Sequence, residues 1–253
     1  MPYIPDFADP RYLDEVGWFL FHEKYGREQF GRSYDEERLA YSELFMDEVL
    51  SYCHHDKPWL EDKTVISIGC GCTGDLAAWP AAIKIAVDPL LYAYQKLEML
   101  LSDTPGTSRT IHLAVGLENL PLLDDCADLV VCRNALDHMR DPSQGLQQIW
   151  RILKPEGVLF LSVDLGGAPT PDEPTVFSAE TLSALLHDQF EIITETHDHP
   201  PHSCGRVSSI RLLARKQYRA FCALDLDKEQ LLTAYVMRID QGEKAQRTTD
   251  NDL

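Results

Sequence analysis

The stretch that decides the fold reads Thr64-Val65-Ile66-Ser67-Ile68-Gly69-Cys70-Gly71-Cys72-Thr73-Gly74. Its first five residues are β-prone and mostly apolar, as in a strand buried on both faces. Glycines at 69, 71 and 74 let the backbone turn sharply after that strand and approach a ligand with no Cβ in the way. A helix is expected next, over 75–80, with its free N–H groups turned toward an anionic group of the ligand. Nineteen residues after Gly69 a second strand, Lys84-Ile85-Ala86-Val87, ends in Asp88. A carboxylate there can accept both hydroxyl hydrogens of a ribose. The plainer reading of Asp88 is a solvent-facing turn residue ahead of Pro89.

Working outward, short apolar runs alternate with helical patterns from about Thr64 to Lys216. Strands are expected at 64–68, 84–88, 109–115, 127–133, 157–163, 189–196 and 207–215, and helices near 75–80, 90–102, 142–153 and 178–188. This alternation predicts an α/β fold: a Rossmann-like, seven-stranded, mostly parallel sheet with helices on both faces. Only a loop separates the last two strands, so that pair is expected to be antiparallel.

Residues 1–60 read as an N-terminal helical cap or lid. Tyr12, Val16, Phe19, Leu20 and Tyr25 recur at helical spacing, as do Leu39, Leu44, Phe45, Val49 and Leu50. Gly26 and Gly31 are expected to interrupt the two patterns. Residues 61–216 form the ligand-binding domain, and 217–253 a helix (about 227–240) with a polar tail expected to be disordered. The apolar stripe Leu231, Leu232, Tyr235, Val236 and Ile239 either packs on the domain or forms a homodimer contact.

Asp and Glu total 41 against 23 Lys and Arg, a formal charge of −18. That mean field repels polyanions, so nucleic acid is not expected as a partner. No apolar run reaches the ~20 residues of a membrane span, and the start Met1-Pro2-Tyr3-Ile4-Pro5-Asp6 lacks a secretory pattern. Seven scattered cysteines without framework spacing point to a reducing, cytoplasmic setting.

The first half fits NAD as well as other adenosine ligands. The second half separates them. Leu117-Glu118-Asn119-Leu120-Pro121 leads into the strand Ala127-Asp128-Leu129-Val130-Val131-Cys132, followed by Arg133-Asn134-Ala135-Leu136-Asp137-His138-Met139-Arg140-Asp141-Pro142. A helix then ends in Ile152-Leu153-Lys154-Pro155-Glu156-Gly157 before the strand Val158–Ser162. Four motifs in this order, over about residues 60–165, resemble class I S-adenosylmethionine-dependent methyltransferases of the group acting mostly on small molecules. The resemblance implies S-adenosylmethionine as cofactor and a small-molecule methyl acceptor. It implies that Gly69, Gly71 and Gly74 line the methionine end, that Asp88 holds the ribose diol, and that Leu117 and Glu118 sit beside the adenine. Asn134 and Ala135 would flank the methionine part, with His138 near the transferred methyl. The sequence departs from the family at two places. Ser67 stands where an acidic residue usually supports the cofactor's amino group, and Gly116 where an aspartate commonly accepts the adenine amino hydrogens. A cofactor-binding protein without turnover, and a protein methyltransferase, therefore stay open beside the small-molecule reading.

Methyl transfer from a sulfonium needs alignment and exclusion of water rather than a metal or a covalent intermediate. A hydroxyl or protonated amine acceptor also needs a base. His138 is the first candidate for that base and Asp137 the second, against the plainer reading of His138 as a helix-start residue. Three segments are expected to wall the acceptor: the loop Asp164–Phe177, the N-terminal aromatics Trp18, Phe19, His22, Tyr25, Phe30 and Tyr34, and the connection His197–Cys204. His197, His199, His202 and Cys204 could ligate zinc or another borderline cation, but their spacing fits no standard site; the plainer reading is a polar turn shaped by two prolines, and no metal is assigned to it. Cys70 and Cys72 read as packing residues of the turn rather than a redox pair. No Gly-x-Ser-x-Gly elbow is present, which argues against a hydrolase.

Overall fold

The computed structural model describes residues 10–31, 34–72, 74–202 and 205–217. The expected C-terminal helix, the polar tail and the Leu231–Ile239 stripe lie outside the described residues.

Seven strands form one sheet in the order β3-β2-β1-β4-β5-β7-β6. They are β1 (Thr64–Ile68), β2 (Ile83–Val87), β3 (Thr110–Leu113), β4 (Ala127–Arg133), β5 (Leu153–Leu165), β6 (Phe190–His199) and β7 (Ser208–Lys216). The first five run parallel, and β7 is antiparallel to both β5 and β6. β5 starts earlier than its sequence suggests, because Leu153 already pairs with Ala127 across a bulge.

Alternate residues of the central strands serve two cores, as the period of two requires. Ile66, Ile68, Val130, Cys132, Leu159 and Leu161 pack with Leu146, Ile149 and Ile152 of α4 (Pro142–Ile152) and Leu182 and Leu186 of α5 (Ala179–Leu186). Val65, Leu129, Val131 and Phe160 pack on the other face with Phe45, Met46, Val49 and Leu50 of α2 (Tyr34–Cys53). Asp141 and Pro142 open α4 in the usual way: the Asp141 carboxylate accepts from the Gln144 N–H at 3.0 Å, and Pro142 needs no partner there.

The expected helix over 75–80 does not form. Pro80 disfavours helical backbone at Trp79, and the few residues left are too short to nucleate. They close as turns instead, Ala77 N–H to Gly74 O at 2.8 Å and Trp79 N–H to Leu76 O at 3.1 Å. The next helix is also shorter than expected. α3 covers only Leu91–Lys96, because Glu98 turns left-handed at φ 58°. Met99 N–H then returns to Tyr94 O at 2.9 Å and Glu98 N–H to Gln95 O at 3.2 Å, a Schellman ending.

At the N-terminus, α1 (Pro10–Phe30) runs unbroken through Gly26. Gly26 serves packing instead: a Cβ there would stand 2.2 Å from the Tyr34 ring. Gly31, at φ 61°, makes the break. The face of α2 also differs from the apolar count. Leu44 is 69% exposed, whereas Arg38 and Ser42 are buried. Their polar ends are spent on the glycine turn. Arg38 donates to Met99 O at 2.8 Å and to Cys72 O, and Ser42 Oγ donates to Asp75 O at 2.8 Å and accepts from Ala78 N–H at 3.1 Å. α2 thus clasps the turn that follows β1.

Candidate active site

The strand order reverses between β1 and β4, so the loops leaving their carboxyl ends part and leave a crevice. Gly69 leaves β1 at φ 64°, and a Cβ on it would lie 2.2 Å from the Ala135 Cβ beyond β4. Only glycine lets the two loops approach this closely. A cavity of about 450 Å³ opens at this point, bordered by Gly69, Asp88, Leu117, Glu118, Asn134, Ala135 and His138 among others. Seven of the residues singled out from the sequence therefore meet on one cavity.

Three do not. Gly71 and Gly74 border a separate void of about 20 Å³ on the far side of the turn. A Cβ on Gly71 would meet the Phe19 ring at 2.6 Å, and one on Gly74 would meet Leu101 at 2.7 Å. Their small size serves the packing of α1 and of the segment after α3 against the turn. Asp137 is fully buried behind His138 and borders neither space.

Asp88 is buried at the end of β2. Its Oδ1 accepts from Leu90 N–H at 2.7 Å and its Oδ2 from Gly71 N–H at 3.0 Å. Each oxygen keeps a further lone pair for the cavity. Burial pushes its pKa up to about 6, against the pull of those two N–H donors. The solvent-facing reading of Asp88 is thereby corrected. Gly116 is answered by its neighbour: a Cβ there would stand 2.9 Å from Glu118 Oε2, so the Glu118 carboxylate folds back over the position that lacks one. Ser67 is buried and donates to Asp75 Oδ2 at 3.3 Å, and Arg133 Nη2 donates to Asp75 Oδ1 at 2.9 Å. A carboxylate does stand beside position 67, but it arrives from the turn and is held by a cation.

His138 faces two carboxylates. Its Nδ1 lies 4.0 Å from Glu15 Oε2 of α1 and its Nε2 3.9 Å from Glu173 Oε1 of the loop after β5. Burial raises the Glu15 carboxyl to about 7, with His138 opposing the shift. Asp137 is raised to about 6 for the same reasons, burial first. Among the described residues neither Asp137 oxygen has a hydrogen-bond partner. Glu173 is tied through Oε2 to Arg206 at 2.7 Å.

The segments expected to wall the acceptor contribute unevenly. From α1 the cavity takes Tyr12 and Glu15, which sequence reading missed. Trp18 and Tyr25 are each 54% exposed, His22 lies against Trp18 with the ring centroids 4.0 Å apart, and Tyr34 packs over Gly26. The side chain of Phe30 lies outside the described residues. The signal for Glu15 was available: it shares the helical face of Tyr12 and Phe19, an acid on an otherwise apolar stripe. The loop Asp164–Phe177 gives Asp172 to the cavity and is anchored by Gly166 N–H to Phe177 O at 2.9 Å and Thr175 N–H to Asp137 O at 3.2 Å. In the third segment the histidines turn to separate partners. His202 Nε2 pairs with Ser162 Oγ at 2.9 Å, His199 Nε2 with Thr196 Oγ1 at 2.7 Å, and His197 with Glu195. Ser203 and Cys204 lie outside the described residues. Among the described residues the one group whose ligand atoms gather for a metal is Asp137, His138 and Glu173, within 4.8 Å of one another. Cys72 is pushed up to about 12 by burial and Cys70 also upward, so neither is a ready nucleophile.

A parallel sheet with an antiparallel end, a glycine turn after β1, an acid after β2 and a crevice at the switch point define a class I methyltransferase domain. The family model described as "methyltransferase domain" matches residues 66–161, from β1 into β5. The chain carries a class I S-adenosylmethionine-dependent methyltransferase domain. A thiol S-methyltransferase of Rattus norvegicus is 29% identical over 135 residues, 51% of this chain and 52% of that protein. A ubiquinone biosynthesis O-methyltransferase of Nitrosomonas europaea is 25% identical over 211 residues, covering 80% of this chain and 84% of that one. The chain spans about half the length of the thiol methyltransferases it matches. A solved S-adenosylmethionine-dependent methyltransferase of Methanosarcina mazei superposes with a TM-score of 0.51 at 18% identity, over 62% of this chain and 93% of that one. The [4+2]-cyclase SpnF does so with 0.51 at 17%, over 74% and 82%. These two likenesses establish the fold. The cofactor of the class, S-adenosylmethionine, fits the cavity's donor set. The backbone approach at Gly69, which a Cβ would close, and the buried acceptor Asp88 are the features an adenosine with an amino-acid tail requires.

Proposed function

We propose that the protein transfers a methyl group from S-adenosylmethionine to a small-molecule acceptor by in-line displacement. The single observation behind this reading is the 450 Å³ cavity at the switch point, where Gly69, Asp88, Glu118 and Asn134 converge with His138. The cofactor supplies a methyl on a sulfonium whose departure leaves a neutral thioether. The protein's share is binding, alignment and proton management. Asp88 accepts the ribose hydroxyls, and Glu118 takes the adenine-facing role that Gly116 lacks. Gly69, Asn134 and Ala135 border the methionine end. Gly71 acts through its N–H on Asp88, and Gly74 and Leu117 shape the turn and the adenine wall. His138 takes the acceptor's proton, and Asp137 behind it holds the imidazolium that results. Tyr12 and Glu15 of α1, with Asp172, close the mouth against water.

The test is mass-spectrometric detection of S-adenosylhomocysteine released from S-adenosylmethionine with thiol, phenol and amine probes. Acceptor-dependent release, lowered at least a hundredfold in His138→Ala, is expected. Tight cofactor binding with no acceptor-dependent release would favour a second reading, cofactor binding without turnover. That reading draws on Ser67, whose place is served by an Asp75 already held by Arg133.

A further inference from the structure

We propose that the acceptor is an amine that reaches the site as an ammonium ion and is recognised by Glu15. This rests on the methyltransferase reading and names its substrate class. With Asp88 and Glu118 assigned to the cofactor, the groups left at the His138 end are Glu15 and Asp172 on the cavity wall, with Arg140 as the opposing cation. Behind His138 stand Glu173, whose charge is matched by Arg206, and Asp137. Both Asp137 oxygens are fully buried without a hydrogen-bond partner among the described residues, and one lies within 4.8 Å of the His138 and Glu173 ligand atoms. Asp137 borders no part of the cavity, so the positive charge that answers this orphan is the His138 imidazolium formed when the ammonium gives up its proton.

The electrostatics separate acceptor classes. Oxygen and sulfur acceptors react best as phenolate or thiolate, and carboxylates at this range disfavour an arriving anion. An amine reacts neutral and becomes positive as its bond to carbon forms, so the same carboxylates favour it. Glu15 stands on the cavity wall with its Oε2 4.0 Å from His138 Nδ1, so an ammonium bound by it lies beside the base that takes its proton. In the reaction the ammonium first gives one proton to His138. The nitrogen lone pair then forms the N–C bond while the C–S bond breaks with its pair going to sulfur. The methylated product leaves as an ammonium, and the imidazolium, flanked by Glu15 and Glu173, returns its proton to solvent. One proton is released per turnover.

The probe is a cofactor analogue in which an amine-bearing carbon replaces the methylsulfonium, titrated calorimetrically against the full chain beside S-adenosylhomocysteine. The amine analogue is expected to bind at least tenfold tighter, and Glu15→Gln to reduce that preference below threefold. Equal affinity for the two ligands, or a preference unmoved in Glu15→Gln, would overturn the proposal. So would a higher kcat/KM for a thiol or phenol probe than for the matched amine. Saturable Mg²⁺ or Zn²⁺ binding lost in Asp137→Asn would make His138 a metal ligand and not the acceptor of the amine's proton, and would overturn it too. Failure of S-adenosylhomocysteine itself to bind marks failure of the underlying methyltransferase reading instead.

Discussion

Single residues at this site carry opposed demands of stability and chemistry. Asp137 shows it most plainly, as a buried carboxyl raised to about 6 with no hydrogen-bond partner among the described residues. Its folded pKa lies above its unfolded one, so the native state holds more protons between those values and stability falls as pH rises through about 6. Asp137→Asn is expected to raise stability at pH 8 by about 1–3 kcal/mol, because the isosteric amide carries no charge to desolvate. The gain shrinks at pH 5, and urea denaturation at the two pH values measures both. Methyl transfer by the same variant should fall. A second case is Gly69→Ala, whose Cβ would meet Ala135 at 2.2 Å on a left-handed backbone. Loss of cofactor binding with a destabilisation of about 1–3 kcal/mol is expected by the same denaturation assay. The placement of Gly69 and Asp88 on the cavity was legible in the sequence because it depends on chain position alone. Glu15 carried a weaker signal, an acid on the apolar stripe of α1, and its place on the cavity depends on how that helix meets a loop more than a hundred residues away.

Elements were legible where hydrophobic period and length agreed, as in β1, β4 and α4. They were misread where polar tertiary contacts replaced local regularity. The turn after β1 has no helix to hold its shape, and α2 supplies the restraint through Arg38 and Ser42. Arg38→Leu keeps much of the volume but leaves the Cys72 and Met99 carbonyls without their donor. The expected cost is about 2–4 kcal/mol, the range for breaking a buried charged network. Gly71, whose N–H holds Asp88, lies in the loosened segment. Cofactor affinity should therefore fall about tenfold although Arg38 borders no part of the cavity. Calorimetry on the variant, at a temperature where it is fully folded, separates the two effects. Unchanged affinity would mean that the turn holds itself.

At the scale of the whole molecule, the alternating elements gave the sheet and its switch point, and with them the place of the site. The described residues contain no helix long and apolar enough to cross a membrane. The formal charge of −18 is expected to repel a polyanion. No saturable binding of labelled tRNA is expected at 150 mM salt by fluorescence anisotropy, on the order of magnitude of ordinary counterion screening. The acceptor was the least legible part of the sequence. The walls proposed for it come from α1, the loop after β5 and the segment after β4, three parts of the chain that share no motif. The central claim is the cofactor site, and the most direct measurement is a calorimetric titration of the protein and its Asp88→Ala variant with S-adenosylhomocysteine and with NAD. Micromolar binding of S-adenosylhomocysteine, weakened at least tenfold in the variant and without comparable NAD binding, is the predicted result. NAD binding in its place, or S-adenosylhomocysteine binding indifferent to Asp88, would contradict it.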